Sequence, residues 1–141
     1  MTTVQEVWTQ VAHVVQRTLE DRFSLPRRGP VDVQWNLRGV SSLGQSVHGG
    51  DLPPRLRLSP AYAVALGDDY LDVVVHEVCH HITNRRYAVA HPKARNLMQD
   101  RSGAWRPHGA RWSEAMRVQG LDPRRLREVT PDQLAMVKGF R

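Results

Sequence analysis

A single cysteine, Cys79, is present in 141 residues. That excludes an internal disulfide and any zinc module built on four thiolates. No apolar run approaches the roughly 20 residues that a membrane-spanning helix needs. The opening MTTVQEVWTQVAHVV has neither the basic start nor the unbroken apolar stretch of a secretory signal. Internal repeats, low-complexity tracts and a recognisable linker are also missing. What remains is the expectation of one domain over residues 1–141, cytoplasmic, with an ordinary hydrophobic content of 40%.

Acidic residues are outnumbered, and the net charge of +6 favours polyanionic partners. The excess is concentrated. Between positions 85 and 112 stand Arg85, Arg86, Lys93, Arg95, Arg101, Arg106 and Arg111, against Asp100 alone. This basic segment reads either as a solvated loop or as a surface for DNA.

Residues 3–23 carry Val4, Val7, Trp8, Val11, Val14, Val15, Leu19 and Phe23 at spacings of three and four, the pattern of an amphipathic helix. SLPRRGP ends it. Three short strands follow: VDVQWNL, SLGQSVH with a bulge expected at Gly44, and RLRLS. Their short connections predict an antiparallel meander. SPAYAVALGDD reads as a proline-headed turn, with Asp68 or Asp69 capping a helix over about 69–86. An irregular stretch with a short helix after Pro92 comes next, then helices near 109–119 and 131–138, the last with Thr130 as N-cap and Pro131 at its first position. The fold class is α+β: an N-terminal helix, a short antiparallel three-stranded sheet, a histidine-bearing helix and further C-terminal helices.

The helix over 69–86 contains LDVVVHEVCHHITNRR. At about 100° per residue, counted from Tyr70, Leu71, Val74, Val75, Val78, Cys79 and Ile82 form one apolar stripe between about 40° and about 180°. His76 and His80 fall at about 240° and about 280°, one turn apart, so their imidazoles can converge on one ion. Glu77 flanks them at about 340°. HExxH on a helix suits zinc catalysis: two histidines form a rigid pair, and the glutamate serves as general base without ligating the metal. His81, at the stripe's edge, reads as a bystander or a group behind the ligands, and Cys79 as core packing.

A catalytic zinc takes three protein ligands and leaves a position open. Six residues beyond His80 stands Arg86, so the three-histidine metzincin spacing fails. The candidates are His91, His108 and Glu114, with Glu128 more remote. Trp112, Ala115, Met116 and Gln119 lie four, seven, eight and eleven residues beyond His108 and share its face, whereas Glu114 points elsewhere. His108 is therefore expected to enter from the first turn of an inward-packed helix, and His91 to sit in a loop before Pro92.

HEVCHH combined with the later PHGARWSEAMRVQGLDP resembles the SprT-like metallopeptidases, the family that includes the eukaryotic Spartan proteases. LGQS and LRLSP upstream resemble that family's strand pair, and the likeness runs over about residues 4–125. The resemblance implies a zincin-like core, Zn2+ held by His76, His80 and His108, and Glu77 as catalytic acid/base. It also implies a protein or peptide substrate, including DNA-associated proteins reached through the basic segment. The cysteines of the zinc ribbon found in many members are missing here. Tyr87, at about 260° if the helix persists, is in register to stabilise an oxyanion. The alternative is a non-catalytic nucleic-acid-binding module with a structural zinc.

Overall fold

The computed structural model describes residues 3–48, 53–90, 110–121 and 129–140. Over these the fold is α+β, with helices around a small three-stranded mixed sheet.

Helix α1 (Val4–Arg22) starts at a reciprocal cap: Thr3 Oγ1 accepts from the Glu6 N–H at 3.1 Å, and the Glu6 carboxylate accepts from the Thr3 N–H at 3.4 Å. Its buried face keeps only part of the stripe that the spacing predicts: Trp8, Val11, Val15, Leu19 and Phe23 pack on the core. Ala12, Val15, Gln16, Leu19 and Glu20 are buried, while Val4, Val7 and Val14 are exposed. Two polar side chains turn inward because both have partners there. Gln16 Oε1 accepts from the Val31 N–H at 2.8 Å, its Nε2 donates to the Gly29 carbonyl at 3.2 Å, and Glu20 meets an arginine of a later helix. The helix stops before the prolines. Ser24 takes the left-handed conformation (φ 53°), and the Leu25 N–H returns to the Glu20 carbonyl at 2.8 Å.

The strands are β1 (Asp32–Gln34), β2 (Gly44–Val47) and β3 (Arg55–Leu58), in spatial order β1-β3-β2. The antiparallel meander is corrected. β2 and β3 are antiparallel, but β1 lies parallel to β3, with Val33 opposite Leu56. Residues 35–43 are long enough to carry the chain past the β3 position to the far edge, so β3 returns into the gap. The central place goes to the strand whose alternate residues, Leu56 and Leu58, are both fully buried. Gly44 is not a bulge either. The β2–β3 register runs without interruption from Gly44 opposite Leu58 to Val47 opposite Arg55.

SPAYAVAL folds as a helix, α2 (Pro60–Leu66), where the sequence reading has only a turn. Ser59 caps it by accepting the Tyr62 N–H at 3.1 Å, Pro60 occupies the first turn, and Tyr62, Ala63 and Leu66 face the core. A single turn of 3-10 helix (Gly67–Asp69) joins it to α3 (Tyr70–Ala90), about 30 Å long at about 1.5 Å per residue. Helix α4 (Ala110–Val118) packs on α3, and α5 (Pro131–Lys138), capped by Thr130 as expected, packs on α2.

Tyr70 ties these parts together. Its ring packs against Trp8 and Trp35, and its hydroxyl accepts from the Ser59 N–H at 3.0 Å and donates to the Leu43 carbonyl at 2.7 Å. Tyr70→Phe leaves both backbone groups unpaired. It is expected to cost about 1–3 kcal/mol, read as a lower urea midpoint at unchanged slope.

Candidate metal centre

Helix α3 is enclosed on nearly every side. Val74, Val75, Val78, Cys79 and Ile82 lie in the core as the stripe predicts, although Leu71, counted in that stripe, is 41% exposed. Glu77, His80, His81, Thr83, Asn84 and Arg85 are buried as well. The histidine face is therefore not a solvated surface. Trp112 of α4 covers it, with its ring stacked on His80 (centroids 5.5 Å, planes at 23°) and edge-on to His76 (5.0 Å, 67°). His76 keeps 34% of its side chain open to solvent. An aromatic wall on one side and an opening on the other leave a partly desolvated pair of imidazoles.

The two Nε2 atoms lie 3.1 Å apart, with the rings 71° from coplanar. Two nitrogens bound to one tetrahedral zinc at about 2.0–2.1 Å stand roughly 3.3 Å apart. The pair thus has the spacing of two ligands on one edge of that tetrahedron. Residues four apart on a continuous helix produce this convergence without help from a loop. The donor set fits zinc, since neutral imidazole nitrogen suits it well.

Glu77 is 7% exposed, and its Oε1 lies 3.8 Å from His76 Nε2. Burial pushes its pKa up to about 8, and a backbone hydrogen bond from Ser46 of β2 pulls the other way. A divalent cation beside it would oppose that rise. His81 is buried and neutral: burial, followed by the Arg85 charge, lowers its pKa to about 4, and its Nδ1 has no hydrogen-bond partner among the described residues. Burial also raises the Cys79 thiol to about 12, which suits packing and not a thiolate ligand.

His108, the expected third ligand, lies outside the described residues, as do His91 and Glu128. Among the described residues no group of three or more His, Cys, Asp or Glu side chains is arranged to hold a metal ion. Glu114 is turned away, with its side chain 54% exposed and paired with Arg86 at 3.3 Å. Trp112, Ala115 and Met116 face inward, which is the face expected for His108.

Two arginines of the basic segment serve the fold. Arg85 is buried in an ion pair with Glu20 of α1 and also donates to the Pro26 carbonyl. Arg86 lies over the Phe23 ring at 3.8 Å in addition to its Glu114 contact. Arg111 sits over the Tyr87 ring at 5.6 Å. Lys93, Arg95, Arg101 and Arg106 fall outside the described residues. The Glu20–Arg85 pair is missing from the sequence reading, yet a signal existed: Arg85 projects at about 60° on the wheel, inside the apolar stripe. Tyr87 is helical, as the expected oxyanion contact would require, but stands about 10 Å along the axis from His80.

Comparison with protein-family models, with curated proteins and with solved structures found no match.

Proposed function

We propose that this chain is a zinc-dependent metallopeptidase of the SprT-like kind. The observation that carries the reading is the 3.1 Å separation of His76 and His80 Nε2, with the buried Glu77 carboxylate beside them. His76 and His80, with His108 as third ligand, would hold the metal. Zinc supplies Lewis acidity, which polarises a peptide carbonyl and acidifies water.

The protein's own groups do the rest. Glu77 accepts the proton of the attacking water on its carboxylate and returns it to the departing amine. Trp112 stacks on His80 and lies edge-on to His76, limits their rotation and excludes water from one side. The opening at His76 is where an extended peptide would approach. A DNA-associated protein as substrate is the part of the reading carried by the basic segment, through Lys93, Arg95, Arg101 and Arg106.

The test is metal analysis joined to cleavage of casein and of DNA-bound protein, with and without single-stranded DNA. The expected result is about one zinc per chain and cleavage abolished by a chelator. His80→Ala and His108→Ala should lose most of the zinc, while His91→Ala and Glu114→Ala should keep it. Full zinc in His108→Ala would overturn the ligand set. Tightly held zinc without cleavage of any substrate, together with salt-sensitive DNA binding, would favour the nucleic-acid module instead.

A further inference from the structure

Gly44 opens β2, and its conformation is not one that requires glycine; the constraint is space. A Cβ built there would lie 3.0 Å from Val73 Cγ1, 3.1 Å from Glu77 Cγ and 3.5 Å from Leu58 Cδ2. Two of these atoms belong to α3, so the strand backbone lies directly on the helix, one turn before the histidine pair and at Glu77 itself. The approach is held from both ends. Just before Gly44, the Leu43 carbonyl accepts from the hydroxyl of Tyr70, the first residue of α3. Just after it, the Ser46 backbone hydrogen-bonds the Glu77 carboxylate. A glycine inside a strand often marks such a close approach.

We propose that Gly44 is a positioning residue for Glu77: its missing side chain lets β2 lie close enough to α3 for the strand backbone to hold the carboxylate beside the histidines. This inference rests on the reading of Glu77 as the base. Of the three contacts a methyl group at position 44 makes, the two tight ones differ in kind. Val73 Cγ1 is a packing neighbour, whereas Glu77 Cγ carries the carboxylate. Relieving the first leaves the second in place.

The experiment compares wild type, Gly44→Ala, Val73→Ala and the double variant as full-length, zinc-loaded protein labelled with carboxyl-13C glutamate. The Glu77 resonance is identified by its disappearance in Glu77→Gln. In Gly44→Ala it is expected to shift, and kcat on casein to fall about ten- to a hundredfold with KM and zinc content nearly unchanged. In the double variant the thermal midpoint should return to that of Val73→Ala alone, while the displaced resonance and the low kcat persist. If Val73→Ala restores all three, Gly44 is a packing residue and the inference is overturned. A wild-type resonance position in Gly44→Ala overturns it as well. Should Gly44→Ala fail to fold, the double variant, relieved of the tighter contact, carries the same comparison. If wild-type protein cleaves nothing, the proposed activity fails, and the carboxyl resonance still decides whether position 44 places the Glu77 side chain.

Discussion

Glu77→Gln is expected to keep about one zinc per chain and the wild-type fold while losing cleavage by roughly 10²–10⁴-fold. Glutamine has nearly the same shape and can still accept a hydrogen bond from the Ser46 backbone. What it lacks is a group that takes a proton from water at neutral pH. Glu77 itself is also nearly closed to solvent, at 7% exposure. A neutral amide is easier to bury there than an ionised carboxylate, so the metal-free thermal midpoint should not fall. Cleavage at the wild-type rate would remove Glu77 as the base. Loss of zinc along with activity would make it a ligand instead.

The second large effect concerns stability. Glu20 is fully buried on α1, and its carboxylate receives Arg85, Gln16 Nε2 at 3.2 Å and the Arg28 N–H at 3.3 Å. Burial alone would raise its pKa. The hydrogen bonds from Arg85, Gln16 and Arg28, with the Arg85 charge, outweigh burial and hold it below the ordinary glutamate value. Arg85→Ala strands that carboxylate and is expected to cost roughly 3–5 kcal/mol, as is usual when one partner of a buried pair is removed. For a chain of this size the thermal midpoint should drop by about 10 °C or more. The double variant Glu20→Met/Arg85→Met should recover most of the loss, because no charge is then left buried alone. Intact stability in Arg85→Ala would mean that the pair contributes nothing.

The sign of the pH dependence follows. A carboxylate whose pKa is depressed by folding stabilises the native state above its unfolded value, near 4.5. That contribution disappears as pH falls through the lower, folded value. Wild type should therefore lose stability more steeply below about pH 4.5 than Glu20→Gln does. Arg85 is also a poor probe of DNA contact. Its removal disturbs the fold, so substitutions at Lys93, Arg95, Arg101 and Arg106 report on nucleic acid more directly.

Local chemistry was legible in the sequence. Thr130 with Pro131 marks a helix start because capping involves only groups within one turn. The histidine pair was readable for the same reason: residues four apart on a helix meet wherever the helix goes. α2 was missed because its two turns are too short for periodicity to register, although Ser59-Pro60 carries an N-cap and a first-turn proline.

Tertiary structure decided whatever depends on partners distant in the chain. Strand order is one case. Alternation shows which face a strand buries, but which neighbour it pairs with depends on where the connecting residues 35–43 lead, so the expected meander became a mixed sheet. Arg85 is another. By itself it reads as one more cation in a basic run; opposite Glu20, 65 positions away, it becomes a buried clamp between α1 and α3. Gly44 is the third, read from sequence as a bulge and found to be the place where strand meets helix. The sequence by itself determined the Thr130 cap and the convergent histidines, because those interactions close within a turn. The packing of β2, α1 and α4 around α3 determined how buried Glu77 is and which charges are spent on the fold, because desolvation and ion pairing depend on distance in space and not on distance along the chain.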